Sequence, residues 1–210
     1  MNFTTKLTLV IGLVVSMSVF AQTSEMNSTD GGGAESFFSK NQKFDDEGIE
    51  LYNSNLDLKR HKKIGAGISV GGAGGALGLN SELNLDAENA LVVGLGTGPN
   101  YGSFNLLYKR NLESNYLSPY GKLGYSKWFS ASKNTSSVGS SDILRQIFSE
   151  QDLKSGKFDT DFMVTSLGAE YNQLEGEYSG VNFYGELVIL TEIKSAKVVP
   201  TGAIGITYFY

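Results

Sequence analysis

Five ionisable side chains carry most of the chemical interest of this chain: Glu82, Lys109, Lys122, Glu170 and Glu186. Each lies in a short stretch of alternating apolar and polar residues, on the polar side of the alternation. Charges gathered on one inner face should pair and hydrogen-bond, because an isolated buried charge is expensive. Two readings of the set stay open: a salt-bridge network that seals an interior, or a polar track for ions and small solutes. Other chemistry has little to work with. His61 is the only histidine and sits among Arg60, Lys62 and Lys63, which reads as a basic cluster just before the first alternating segment. One histidine and no cysteine cannot supply the usual metal cluster, and His61 is misplaced for an outward-facing triad. The glycine runs fail as phosphate loops. Gly72-Ala73-Gly74-Gly75 lacks the third glycine, position 77 being Leu, and nothing like Gly-Lys-Ser follows Gly94-Leu95-Gly96-Thr97-Gly98. No catalytic, cofactor-binding or metal-ligating residue is expected, and no cofactor.

The elements that must position the five charges are strands. From residue 62 onward the text breaks into eight alternating segments: 62–71, 76–85, 89–97, 102–110, 116–129, 158–171, 178–190 and 198–210. In the first, Ile64, Ala66, Ile68 and Val70 share one face, and Gly65, Gly67, Ser69 and Gly71 the other. The sixth is less clean, because Phe162 and Val164 share a face with Ser166, Gly168 and Glu170. Gly72 to Gly75 reads as a turn, and glycines on the small face (Gly65, Gly67, Gly94, Gly96, Gly124, Gly168) as residues that thin an interior or relieve a curved sheet. With 26 glycines, 11 tyrosines and 12 phenylalanines against 3 prolines, the composition is that of a β-rich chain. The long connection 130–157 holds a predicted helical passage, capped by Ser141, with an apolar stripe of Ile143, Leu144, Ile147 and Phe148. That stripe either folds over a rim or grips an extracellular partner.

The flanks suggest a secreted protein. Lys6 precedes the apolar run 7–15, and Val19-Phe20-Ala21 ends on a small residue, the pattern of a cleaved signal peptide over 1–21. Residues 22–61 read as a flexible N-terminal segment, with Gly31-Gly32-Gly33 inside it and enough aromatic residues later to lean on the end of the following domain, 62–210. A net charge of −5 argues against nucleic acid as a partner.

The final stretch, Val198 to Tyr210, puts Ile204, Ile206, Tyr208 and Tyr210 on one side and finishes on an aromatic. It resembles the closing strand of small eight-stranded bacterial outer-membrane β-barrels of the OmpA/OmpX kind, with Tyr210 in place of the more usual Phe. The resemblance covers residues 62–210. It implies an all-β, eight-stranded antiparallel up-and-down transmembrane barrel, with Ile204, Ile206, Tyr208 and Tyr210 as the assembly signal. It also implies a monomer in the outer membrane, both termini in the periplasm, in contact with lipid, lipopolysaccharide and the barrel assembly machinery. The expected role is structural, membrane-integrity or surface interaction, without enzymatic activity. The alternatives are a narrow pore, a lipid-modifying enzyme, or a soluble β-barrel binding protein, since alternation alone fits a soluble barrel too.

Overall fold

The computed structural model describes residues 43–44, 50–51, 54–99, 101–130, 159–174 and 177–210. The expected signal peptide, most of the segment before residue 54, and the loop helix with its stripe lie outside the described residues. Eight strands follow one another: β1 (Ile64–Gly71), β2 (Leu77–Asn84), β3 (Asn89–Gly98), β4 (Tyr101–Asn111), β5 (Ser118–Ser130), β6 (Asp159–Asn172), β7 (Val181–Glu192) and β8 (Val198–Phe209). Each pairs antiparallel with its neighbours in sequence, and β8 returns to β1, from Ala203 opposite Gly71 to Phe209 opposite Gly65. The result is a closed eight-stranded up-and-down barrel, the expected architecture. Closure leaves no strand edge without a partner.

Apart from the barrel, Lys43–Phe44 and Glu50–Leu51 form a two-residue antiparallel ladder. A single helical turn, α1 (Asp57–His61), precedes β1. The two mouths are called here the Lys59 end, where α1 and residues 85–88, 112–117, 173–174 and 177–180 gather, and the Ala73 end.

Alternation sorts every strand into an outward apolar face and an inward face. Ile68, Val70, Leu79, Leu95, Leu106, Leu187 and Ile204 are all exposed on the outside. Inward positions are small or polar in places, but aromatic rings project there too, and each needs room. Four inward aromatics lie directly across the ladder from a glycine: Tyr120 opposite Gly168, Tyr184 opposite Gly205, Phe209 opposite Gly65, and Tyr101 opposite Gly98. A Cβ at Gly168 would lie 2.6 Å from Tyr120 Cζ, and one at Gly205 2.4 Å from the same atom of Tyr184. The inner glycines are therefore platforms on which rings lie, a more specific job than thinning the wall.

Two segments enter the lumen. The 72–75 turn reverses the chain, as expected. It folds into the lumen as a 3-10 turn (Gly72–Gly74), with Gly71, Gly72 and Gly75 at positive φ to make the reversal. Inside, Trp128 Nε1 and Ser126 Oγ donate to Ala73 O at 3.0 and 3.2 Å, and Ser103 Oγ to Gly74 O at 3.0 Å. Residues 54–61, the end of the segment expected to lean on the barrel, are docked. Ser54, Asn55, Leu56, Leu58 and Lys59 are all buried in the mouth of the barrel.

Candidate functional site

The docking of 54–61 is built on Asn55. Its Nδ2 donates to Ser118 Oγ at 2.9 Å and to Glu170 O at 3.0 Å, while Asn172 N donates to Asn55 Oδ1 at 2.8 Å. Its backbone is held as well: Asn172 Nδ2 donates to Asn55 O at 2.7 Å, and Asn55 N donates to Ser114 O at 2.8 Å. One asparagine thus ties the segment to the β4–β5 connection, to β5 and to β6. Ser54 Oγ accepts from Leu56 N at 3.1 Å and starts the turn that becomes α1. Leu56 and Leu58 then bury their side chains, and Lys59 points into the lumen.

There its ammonium completes a ring of four charges. Lys59 Nζ lies 2.6 Å from Glu82 Oε1 and 2.6 Å from Glu170 Oε1. Lys109 Nζ lies 2.9 Å from Glu82 Oε2 and 2.5 Å from Glu170 Oε2. Each carboxylate bridges both ammoniums, Glu82 Oε1 accepting from Lys109 Nζ at 3.2 Å as well as from Lys59, and each ammonium bridges both carboxylates. All four side chains are shut off from solvent. At this depth the attraction is strong, and so is the desolvation it must offset; the arrangement persists only while every partner is present.

A second polar layer stands deeper in the lumen. Lys122 Nζ is 2.9 Å from Glu186 Oε2, which also accepts from Tyr120 OH at 3.0 Å and Ser166 Oγ at 3.2 Å. The Tyr120 ring links the layers, with Lys109 Nζ 4.5 Å and Lys122 Nζ 5.0 Å from its centroid. Lys122 also lies over Tyr184, whose hydroxyl accepts from Asn80 Nδ2 at 2.8 Å. The structure therefore brings together Glu82, Lys109 and Glu170 in one layer and Lys122 and Glu186 in the next.

Toward the Ala73 end the lumen changes character. Trp128 stacks on Tyr101 at 4.8 Å between ring centroids and meets Phe162 edge-on at 5.4 Å. Val164, Val188, Leu190 and Val199 join them in one buried apolar cluster, which includes Ala73 of the inserted turn. The mixed face of the sixth predicted strand now has a reason: Phe162 and Val164 belong to this apolar half, Ser166 and Glu170 to the charged half. Between the two halves remains a cavity of about 30 Å³, lined by Asn80, Asn105, Leu107, Lys122 and Glu186 among others. That is room for a water molecule rather than a solute.

The residue that sequence reasoning missed is Lys59. A signal for it existed: three lumen acids against two bases leave one carboxylate without a cation. The extra cation comes from outside the strands. The four positions of the expected assembly signal, Ile204, Ile206, Tyr208 and Tyr210, all face outward and are exposed. His61 ends α1, outside the lumen network. Among the described residues no group of three or more His, Asp or Glu side chains could hold a metal ion.

No protein-family model and no curated protein matches the sequence. Among solved structures, the chain is similar to the N-terminal β-barrel domain of Pseudomonas aeruginosa OprF, at 12% identity and a TM-score of 0.44, over 74% of this chain and 98% of that one. It is also similar to the Yersinia pestis outer membrane protein Ail, again at 12% identity, with a TM-score of 0.38 over 71% of this chain and 99% of that one.

Proposed function

We propose that this chain is a non-enzymatic bacterial outer-membrane β-barrel, with a structural or surface-interaction role and a lumen closed to solutes. The observation that carries the reading is the distribution of charge on the outside of the barrel. On the outward faces of the eight strands, the charged side chains are Arg110, close to the Lys59 end, and Lys127, Asp159 and Asp161 at the Ala73 end. Between them runs a band of exposed Ile, Leu, Val and Phe around the closed barrel. A water-soluble protein rarely exposes a continuous apolar surface beyond a few hundred Å². In hydrocarbon the same band is the stable surface, and closed hydrogen bonding is what a lipid-exposed strand needs. Strands of 8 to 14 residues suit a tilted crossing.

The Lys59 end, which has no long connection, is the one we place in the periplasm, and the Ala73 end, which has the long 131–158 connection, outside. Lipid and lipopolysaccharide are then the partners of the band, and the assembly machinery the partner during insertion. Membrane fractionation with heat-modifiable gel mobility tests the reading. The folded form should stay in the outer-membrane fraction and migrate differently after boiling. Recovery in the soluble periplasmic fraction would overturn it in favour of a soluble barrel. A second reading, a narrow pore, draws on the two polar layers, and conductance measurements separate it from the first.

A further inference from the structure

We propose that the Lys59 end of the lumen is a built receptor for one primary ammonium group, which residues 54–61 fill from within the same chain. The receptor is a pair of convergent carboxylates, Glu82 and Glu170, held in place by Lys109 on their far oxygens. Without Lys59 this layer holds two acids and one base, so it lacks one positive charge. The vacancy is shaped for an ammonium rather than for other cations. Its near oxygens are Glu82 Oε1, which accepts from Lys59 Nζ, and Glu170 Oε1, which pairs with it by charge, each 2.6 Å from that nitrogen. The Phe209 ring lies beside it, 5.4 Å from that nitrogen, and offers a face to a cation with an apolar stem. A divalent ion would be opposed by the ammonium of Lys109 next door. The segment is fastened independently through Asn55, so the ammonium is delivered at fixed depth.

This assignment gives 54–61 a definite role. It is a latch whose inserted state balances the charge of the lumen, and the barrel is complete only with it in place. The inference stands on the interior geometry alone and holds whether or not the barrel lies in the outer membrane.

The test uses the purified full chain folded in detergent. Lys59→Ala removes ammonium and stem together and should lower the midpoint of heat-modifiable unfolding by on the order of 10 °C. Ethylammonium chloride should then raise the midpoint of Lys59→Ala above that found with sodium or tetramethylammonium chloride at equal ionic strength. It should leave the unsubstituted chain unchanged. The double variant Lys59→Ala/Glu82→Gln, whose layer is neutral again, should recover part of the loss and no longer respond to ethylammonium. If Lys59→Ala does not fold, the same salts are compared by refolding yield, and ethylammonium alone should restore it. A Lys59→Ala barrel that unfolds with the unsubstituted protein overturns the proposal. So does an ethylammonium effect no larger than that of tetramethylammonium, or one equal in the single and double variants.

Discussion

At the scale of single residues, the barrel interior turns on which glycines have a ring above them. Gly168 and Gly185 belong to neighbouring strands and differ in direction. A Cβ at Gly168 would meet Gly185 O at 2.5 Å and Tyr120 Cζ at 2.6 Å, one of them backbone that cannot swing away. A Cβ at Gly185 would face outward with its nearest neighbour, Ile204 Cγ2, at 3.9 Å. Gly168→Ala should therefore destabilise the barrel by about 1–3 kcal/mol, as overpacking does. It should also push Tyr120 off Glu186, whereas Gly185→Ala should change stability by less than about 0.5 kcal/mol. Equilibrium unfolding in detergent of the two variants checks the pair, and equal effects would mean that the ring-on-glycine contact is not what fixes Gly168. The sequence holds both glycines in alternating strands, and alternation does say which one points inward. It does not say that Tyr120 lies across from Gly168, because that depends on the register between β5 and β6.

Among the elements, strands were legible to within three residues, since period-two alternation is a strong local signal. The two inserted segments were not. Turn chemistry announces that Gly72 to Gly75 reverses the chain, but whether the reversal leans in or out depends on Trp128 and Ser103, more than 25 residues away along the chain. Residues 54–61 read as part of a flexible segment leaning on the barrel, and how deep they dock is not legible because their partners, Ser118, Glu170 and Asn172, are far off in sequence. The β2–β3 connection at the Lys59 end is local, and it is pH-sensitive. Asn89 Nδ2 donates to both carboxylate oxygens of Asp86, at 3.0 and 2.9 Å, and the backbone N–H groups of Asn89 and Glu88 donate at 2.7 and 2.8 Å. Led by the Asn89 side chain, these bonds hold the Asp86 carboxyl below the ordinary aspartate range. A depressed folded-state pKa stabilises the turn above the unfolded value, and that stabilisation is lost as pH falls through the folded one. The amide proton shifts of Glu88 and Asn89 should thus titrate with a midpoint below that of a free aspartate, and Asp86→Asn should abolish the step. A midpoint at the ordinary value would show that the turn bonds do not favour the charged carboxylate.

For the whole molecule, the sealed lumen we propose rests on two layers of different chemistry. The Lys59 end is closed by charge: α1 sits in the mouth, and its lysine locks Glu82 and Glu170. The Ala73 end is closed by apolar packing, with Trp128 buried against Tyr101 and Phe162, and donating to the carbonyl of the inserted turn. The sequence showed the first closure in outline, through the five lumen charges, and missed the second, because apolar residues facing a lumen read as a flaw in the alternation. Two closures in series make a specific forecast for planar bilayers. Lys59→Ala should remove the charge lock from the mouth without opening a path, since the apolar layer still excludes water and ions, so that variant should conduct no more than the unsubstituted protein. Adding Trp128→Ala to it removes the largest side chain of the second layer and its hydrogen bond to Ala73, and only the combination should give steady, salt-dependent steps. Single-channel recording decides. Steady conductance from Lys59→Ala alone would show that the apolar half is not a barrier, and the narrow-pore reading would then displace the sealed barrel.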